Sequence, residues 1–386
     1  MSTPPTALGP LNVLDFSRVL AGPFATMMLA DLGATVVKVE RPTTGDDTRA
    51  WGPPHDERGT ATYFQSVNRN KSAVAWDLAD PTDRATARAA AREADVVVEN
   101  FRPGVMDRLG LGADELCAAN PRLVYCSITG FGAGAGAALP GYDLLVQAVG
   151  GLMSITGEPG GEPQKAGVAL VDVLAGLFAT VGILAALRHR DTTGQGQRVE
   201  VDLLSSLLAA LVNQGSAFTV AGVVPERLGN RHPSIAPYEL LRCADRDLAL
   251  AVGNDRQFRS LCAVLELDRL ADDPRFATNG DRVAHRGELA SALGERLRQA
   301  PAARWAERLS GAGVPAGVVN DVAGAFRLAE ALGLEPLVAL PRPDGTTVEL
   351  TRNPIGLSAT PARYVCAPPS LPVRAAAQGR VADVPG

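Results

Sequence analysis

Residues 11–40 read LNVLDFSRVLAGPFATMMLADLGATVVKVE, and this segment sets the fold class. Its two ends, residues 11–15 and 35–40, are short runs rich in valine and leucine, which is typical of buried strands. Between them a helix is predicted from about Pro23, a residue suited to the first helical position, to a stop at Gly33. A strand, a helix and a strand in this order predict a βαβ unit, and therefore an α/β fold with a parallel sheet.

The turn after the first predicted strand lacks the glycine pattern of a dinucleotide site. Residues 18–23 read RVLAGP, where that pattern would require GxGxxG. The glycines of the pattern let the backbone approach a pyrophosphate closely, so their absence disfavours a dinucleotide-binding site of the Rossmann type. An NAD-linked dehydrogenase therefore ranks last among the candidate functions.

Four more apolar runs predict further strands: SAVAWDL (72–78), DVVVEN (95–100), RLVYCSI (122–128) and RVEVDLL (198–204). One helix is predicted over residues 205–222, where the first region of the chain ends. In the tail, residues 346–351 (TTVELT) predict an isolated strand, which we expect to pair back with the first region.

The chain is long enough for two domains. We expect a large domain over residues 1–222, completed by residues 331–386. A linker is expected over residues 223–245. A smaller α/β domain is expected over residues 246–330.

The composition is that of an ordinary globular protein, with 386 residues, a formal net charge of −5, 46% hydrophobic and 20% charged residues. A nucleic-acid partner would favour a basic face, so the mildly acidic balance argues against one. The five cysteines lack a CxxC pair and the four histidines lack a metal-binding spacing. The N-terminus has no basic region followed by an apolar core, as a signal peptide would. We expect a cytoplasmic protein with intracellular thiols and without a metal or a nucleic-acid partner.

A long apolar segment, KAGVALVDVLAGLFATVGILAALR, covers residues 165–188. Its apolar part contains a single carboxylate, Asp172, and only residues 173–187 are free of charge. That length falls short of the roughly twenty residues that a membrane span needs. The sequence therefore favours a buried helix over a membrane-spanning one, and we expect no membrane partner.

Asp172 has two interpretations. Aspartate is a common N-cap, so the residue could simply begin the long helix. Alternatively, the positive end of the helix dipole would favour the ionised carboxylate, which could attack an activated acyl carbon as a nucleophile. The residues of this segment alone leave both open.

Basic residues cluster near the ends of the predicted strands, and several could hold phosphates by bidentate contacts. The alternative is a solvated rim of charge. The set comprises Arg18, Lys38, Arg41, Arg69, Lys71, Arg102 and Arg108. A glycine-rich loop over residues 129–141 could bring backbone amides close to a ligand, although such a loop is a weak signal by itself.

Several long blocks in a fixed order carry a family likeness over nearly the whole chain. They are LDFSRVLAGPFATMMLADLGATVVKVERP, VENFRPG, RLVYCSITGFG, PGYDLLVQAVGGLMSITGEP, GVALVDVLAGLFATVGILAALRHRDTTGQGQRVEVDLL and LGNRHPSIAPYE. In these blocks the chain resembles the class III CoA-transferase family, which also includes the 2-methylacyl-CoA racemases.

The resemblance implies a Rossmann-like parallel-sheet large domain, a smaller α/β domain and an interlocked homodimer. It also implies that Asp172 is the nucleophile and that coenzyme A is substrate and product. The positions that would contact coenzyme A are Leu20, Ala21, Arg41, Trp76, Asn100, Phe101 and Arg108. Gly141, Tyr142 and Asp143, in the PGYD block, would lie beside the nucleophile.

One residue separates the activities within the family. Racemase members carry a histidine at the position of Tyr142, and proton removal and return on opposite faces need two bases. The GYD version, together with SITGEP, resembles the members that use succinyl-CoA and other small dicarboxylic acids. The resemblance therefore implies CoA transfer from an acyl-CoA to a carboxylic acid, through an aspartyl mixed anhydride and an aspartyl-CoA thioester. The alternatives are a 2-methylacyl-CoA racemase or epimerase and a non-catalytic CoA-binding protein.

Overall fold

A computed structural model describes residues 5–372, which divide into two compact units. Of these residues, the first unit takes the segments up to Leu152, from Lys165 to Val223 and from Glu335 onward. The second unit takes Met153–Gln164 and Val224–Leu334. Each unit has its own cluster of buried apolar side chains.

The first unit is built on a six-stranded sheet in which all neighbouring strands run parallel. The strand order is β3-β2-β1-β4-β5-β6, so the α/β fold predicted from the sequence is confirmed. The chain order reverses between β1 and β4, which is where open sheets of this type bind ligands. The strands are β1 (Asn12–Asp15), β2 (Thr35–Glu40), β3 (Lys71–Ala75), β4 (Val96–Glu99), β5 (Val124–Thr129) and β6 (Arg198–Asp202).

The central strands of this sheet are almost fully buried, whereas β6 at its edge is partly exposed. The first helices of this unit are α1 (Ala21–Asp31), α2 (Thr62–Ser66), α3 (Pro81–Glu93), α4 (Val105–Arg108), α5 (Ala113–Ala119) and α6 (Asp143–Val149). The short α7 (Leu152–Ile155) follows, and all of it except Leu152 belongs to the second unit. The chain continues with α8 (Leu170–Thr193), α9 (Leu203–Ala210) and α10 (Val212–Ala221).

The long apolar segment is α8, which packs against α1 in the largest buried cluster of the first unit. Gly176 makes this packing close, because a Cβ there would lie 2.6 Å from the carbonyl oxygen of Ala21. By length and composition α8 could cross a membrane, and α9 and α10 could together form a bent span. Core helices of soluble proteins share these properties, and 44% of the most apolar window of α8 is buried.

The single helix predicted over residues 205–222 is two helices in the structure. The axes of α9 and α10 meet at 83°. The backbone of Val212 has φ +39°, and a residue at positive φ interrupts a right-handed helix. None of the residues of α10 is buried.

The second unit is a small α/β unit around an antiparallel sheet, β7-β8-β9. Residues 223–245, expected as a linker, contain the first of its strands, because residues 238–242 pair with residues 247–251 in a hairpin. Its strands are β7 (Tyr238–Arg242), β8 (Asp247–Ala251) and β9 (Ala316–Val318). Its helices are α11 (Asp255–Leu265), α12 (Asp268–Ala271), α13 (Asn279–Ala284), α14 (Arg286–Leu297), α15 (Ala302–Gly311) and α16 (Val322–Ala331).

The strand predicted in the tail has a local partner. It is β11 (Thr347–Thr351), and it pairs antiparallel with β10 (Leu337–Pro341), a strand that the sequence did not predict. The expectation of a distant partner was wrong because β10 is short and ends in proline, which hides its strand character. Residues 373–386, part of the expected completion of the large domain, lie outside the described residues.

Candidate active site

A cavity of about 350 Å³ opens at the carboxyl end of the parallel sheet, where the N-termini of α1 and α8 meet. Asp172 forms part of its wall. The cavity brings together residues from separate blocks of the sequence: Leu20, Ala21, Asn100, Phe101, Gly141, Tyr142 and Asp172. All seven are among the expected site residues.

Asp172 lies in the first turn of α8, and it is not the residue that caps the helix. The N-cap is Ala169, which has no side chain for capping. Asp143 supplies the cap instead, because its Oδ1 accepts hydrogen bonds from the backbone N–H groups of Val171 (2.8 Å) and Asp172 (3.3 Å). Within residues 5–372, no hydrogen bond to the Asp172 carboxylate is present, so that carboxylate is free to react.

Asp143 is held in turn by Gln147, which is completely buried. The Nε2 of Gln147 donates a hydrogen bond of 2.6 Å to Oδ2 of Asp143. Its Oε1 accepts from the backbone N–H of Ala166 at 2.8 Å. Gln147 was not among the predicted site residues, although its position four residues after Asp143 on a helix indicates the contact.

Burial and the negative charge of Asp143 raise the pKa of Asp172 to about 7. The helix N-terminus led us to expect a fully ionised carboxylate at neutral pH. The difference arises because Asp143, and not Asp172, accepts from the free N–H groups of α8. The pKa of the Tyr63 hydroxyl is also raised, by burial and by the charges of Asp172 and Asp143.

The glycine-rich loop over residues 129–141 forms another wall of the cavity. Its ends touch each other, since a Cβ on Gly130 would lie 2.4 Å from the Cα of Gly141. Only glycine fits at these two positions, so the loop closes tightly beside Asp172. The side chain of Tyr142 is 64% exposed at the rim.

A second cavity, of about 220 Å³, adjoins the first and shares Arg18 and Phe101 with it. It is lined by Arg41 and Trp76, two more of the residues expected to contact coenzyme A. The Arg18 guanidinium lies 4.8 Å from the centre of the Phe101 ring. Two arginines, with the rings of Trp76 and Phe101, suit a phosphorylated nucleotide, by charge and by stacking.

Two of the expected site residues lie outside both cavities. Arg108 is exposed at the end of α4 and lines neither of them. Asp143 acts from behind the cavity wall, through the N-terminus of α8. The proposed role of Arg108 as a contact to coenzyme A stays a prediction.

Three members of the basic set are buried in ion pairs, so they form neither a phosphate site nor a solvated rim. Lys38 pairs with Asp46 at 2.9 Å and Lys71 with Asp15 at 3.2 Å, all with side chains at 0% exposure. Arg69 pairs with Asp31 at 2.5 Å. The spacing of these residues after strands reflects charge pairing inside the fold, while Arg18, Arg41 and Arg102 do line the cavities.

Glu99, at the end of β4, is a buried acid that the sequence analysis passed over. Its carboxylate accepts hydrogen bonds from the Ser127 hydroxyl and from the backbone N–H of Phe101. Burial raises its pKa to about 7. It lines a third cavity, of about 560 Å³, which shares Arg102 and Thr129 with the Asp172 cavity. The sequence feature that indicates a buried acid is the position of Glu99 as the single carboxylate at the end of the apolar run VVVE.

No group of three or more histidine, cysteine, aspartate or glutamate side chains is arranged to hold a metal ion within residues 5–372.

Comparisons with known proteins show the family to which the chain belongs. The sequence profile of CoA-transferase family III matches residues 8–372. The chain is 44% identical to a succinate–glutarate CoA-transferase of Agrobacterium fabrum, over 94% of this chain and 92% of that protein. It is 42% identical to an acetyl-CoA:oxalate CoA-transferase of Acetobacter aceti, over 87% of both chains.

A solved structure has the same fold. The crystal structure of a CAIB/BAIF family protein from Brucella suis superposes with a TM-score of 0.84 at 42% identity, covering 95% of this chain and 96% of that one. The chain therefore belongs to CoA-transferase family III, a family of enzymes that use CoA thioesters as substrates.

Proposed function

We propose that this enzyme transfers coenzyme A from an acyl-CoA donor, with succinyl-CoA as the favoured donor, to a small dicarboxylic acid, through covalent intermediates on Asp172. The observation that carries the proposal is the free Asp172 carboxylate in a cavity that adjoins the cleft of Arg41 and Trp76. The choice of acids is supported by relatives that are named succinate–glutarate, succinyl-CoA:glutarate and succinyl-CoA:mesaconate CoA-transferase.

The reaction begins when the ionised Asp172 attacks the thioester carbonyl of the donor. The tetrahedral intermediate collapses, CoA thiolate leaves, and an acyl-aspartyl anhydride remains. The thiolate then attacks the aspartyl carbonyl carbon of the anhydride, which forms an aspartyl-CoA thioester and releases the donor acid. The acceptor carboxylate displaces the thiolate to form a new anhydride. The thiolate attacks the acceptor's acyl carbonyl, which yields the new acyl-CoA and restores Asp172.

The surroundings of Asp172 suit this exchange. A carboxylate with a pKa of about 7 is more basic than an ordinary aspartate and remains half ionised at neutral pH. Backbone amides of the glycine-rich loop stabilise the tetrahedral oxyanions from the cavity wall. The anhydride requires a site without water. Asp47, from the long loop over residues 40–59, lines the cavity, which supports this loop as the segment that excludes water.

A racemase is less well supported because the described lining of the cavity offers no histidine as a second base. The described residues that line it include no histidine, and Tyr142 stands where the racemase members carry one. A carboxylate alone is sufficient for acyl transfer, whereas proton removal and return on two faces require two bases.

The test is to incubate the protein with succinyl-CoA, trap with borohydride or hydroxylamine, and map the modified peptide. Label on Asp172, followed by CoA transfer to glutarate, is the expected result. Label on another residue, or full activity in Asp172→Ala, would contradict the mechanism. Exchange of an α-hydrogen with deuterated water and no need for an acceptor acid would instead identify a racemase. Tight CoA binding without exchange across a panel of acids would identify a binding protein.

We propose further that a second copy of the chain covers an exposed apolar face of α8 and α10, and that the enzyme is a cytoplasmic homodimer. Support comes from the large apolar side chains exposed on these helices: Leu177, Phe178, Val181, Phe218 and Val220. Exposed apolar side chains on a protein surface are often covered by a partner chain. Sedimentation equilibrium should give twice the chain mass, and a monomer at micromolar concentration would contradict the proposal.

A further inference from the structure

The loop between β1 and α1 contains a strained residue. Val19 has φ +69°, in the left-handed region that branched side chains rarely occupy. Arg18, Val19, Leu20 and Ala21 all line the Asp172 cavity. Strain of this kind persists only where the surrounding structure holds it.

A buried ion pair holds this conformation. The carboxylate of Asp46 accepts a hydrogen bond from the backbone N–H of Val19, at 3.2 Å to one oxygen and 3.3 Å to the other. Lys38 pairs with the same carboxylate at 2.9 Å, and its Nζ donates to the carbonyl oxygen of Ser17 at 2.8 Å. The ion pair therefore hydrogen-bonds to the backbone on both sides of Arg18, at the Ser17 carbonyl oxygen and at the Val19 N–H.

Two further contacts fix the arrangement. Thr48 donates to Asp46 through its backbone N–H (3.0 Å) and its hydroxyl (2.7 Å), which orients the carboxylate. The side-chain amide of Asn100 bonds to both the N–H and the carbonyl oxygen of Arg18, each at 2.8 Å. Neither Lys38 nor Asp46 lines the cavity, so both act only through the loop.

We infer that Lys38 and Asp46 are positioning residues that hold Val19 in its left-handed conformation and so shape the acyl-CoA site in advance of binding. This inference rests on the proposed function, since it assigns the loop to CoA binding. A loop that had to be ordered during binding would reduce affinity for the thioester. The affinity for the acceptor acid would be unaffected.

The variant Lys38→Met/Asp46→Asn removes both charges, so that neither is left buried without a partner. We expect the KM for acyl-CoA to rise about tenfold, the scale set by the cost of a left-handed residue other than glycine. The KM for the acceptor acid should stay unchanged. Adding Val19→Gly should restore much of the lost affinity, because glycine adopts positive φ without strain.

A milder variant tests the same inference even if Lys38→Met/Asp46→Asn does not fold. Thr48→Val removes the hydroxyl contact to Asp46 at nearly constant volume, and we expect a rise of about threefold in the same KM, again reduced by Val19→Gly. The matched control is Arg69→Met/Asp31→Asn, which removes another buried ion pair of the first unit. It should lower stability and leave the KM for acyl-CoA unchanged.

Amide hydrogen exchange at Val19 without ligand gives a readout independent of activity. Exchange should be faster in Lys38→Met/Asp46→Asn than in the wild type. Unchanged exchange and KM in folded variants, no rescue by Val19→Gly, or an equal KM rise in the control would overturn the inference. Failure of the proposed function would give a different result. The wild type would bind no acyl-CoA, while Val19 amide exchange would still be faster in Lys38→Met/Asp46→Asn than in the wild type.

Discussion

Buried charge occurs in two contrasting settings within the first unit. Near the β1–α1 loop, Asp15 and Asp46 are buried beside lysines. Burial alone would raise the pKa of each carboxyl group. Lys71 and Lys38 instead hold the pKa of Asp15 below its usual value, and Lys38 does the same for Asp46. At the start of α8, burial acts together with the charge of Asp143 and raises the pKa of Asp172 to about 7. Opposite charges stabilise a fold, whereas a like charge keeps a carboxylate basic and reactive.

The largest effect is expected from Asp172→Asn. Removal of the covalent group should lower the rate of CoA transfer by roughly 10⁴-fold or more, the scale seen when a catalytic group that acts as part of a unit is lost. The protein should stay folded, since the Asp172 carboxylate makes no hydrogen bond within the described residues. Steady-state kinetics and circular dichroism test both expectations. A variant with even a tenth of wild-type activity would rule out Asp172 as the nucleophile.

The next largest effect is on stability, from breaking a paired charge. Lys71→Met leaves Asp15 buried without its nearest cation, and we expect a loss of about 3–5 kcal/mol in the free energy of unfolding. Urea denaturation at pH 7 measures this loss. The pH midpoint of the remaining activity should match that of the wild type, because Lys71 does not contact Asp172. If Lys71→Met shifted the pH midpoint of activity and left the free energy of unfolding unchanged, Lys71 would act on the reaction and not on stability, contrary to the role given to it here.

A smaller effect is expected in the pH profile of acylation. Only the ionised form of Asp172 attacks, so the single-turnover rate should rise with pH through a midpoint near 7 and level off at higher pH. Asp143→Asn removes the like charge, which should lower the pKa of Asp172 and move the midpoint to lower pH. Asp47→Asn, on the wall of the same cavity, is the matched control and should change the KM for acyl-CoA without moving the midpoint. Equal midpoints in wild type and Asp143→Asn would contradict the electrostatic account.

A last effect is a linkage between pH and stability. The pKa of Asp172 is higher in the folded protein than its ordinary value of 3.8, so the unfolded state loses its proton first as pH rises. Wild-type stability should therefore fall relative to Asp172→Asn between about pH 4 and pH 7, and the difference should then stay constant. Thermal melts of both proteins across this range provide the measurement. If wild-type stability instead rose relative to Asp172→Asn as the pH increased, the pKa of Asp172 would be lowered by folding, and the electrostatic account would be wrong.

Much of the fold was predictable from local patterns. Alternating apolar runs and helical segments in residues 11–40 and beyond indicate a parallel sheet, because each strand must be buried on both faces. The order of family blocks indicated the transferase family and placed Asp172 at the start of a helix. The hairpin of β10 and β11 and the first strand of the second unit escaped prediction, since both depend on short strands whose partners decide their state.

The sequence by itself determined the order of elements, the family and the position of one acid in a long apolar segment. Only the tertiary structure decided the chemistry of that acid. Asp143 is 29 residues away in sequence, yet it caps α8 and raises the pKa of Asp172. For Lys38 and Lys71 the sequence left phosphate binding and a solvated rim open, whereas in the fold they pair with Asp46 and Asp15. The state of an ionisable group depends on charges and burial within a few ångströms, and these are set by the fold rather than by the neighbouring residues in sequence.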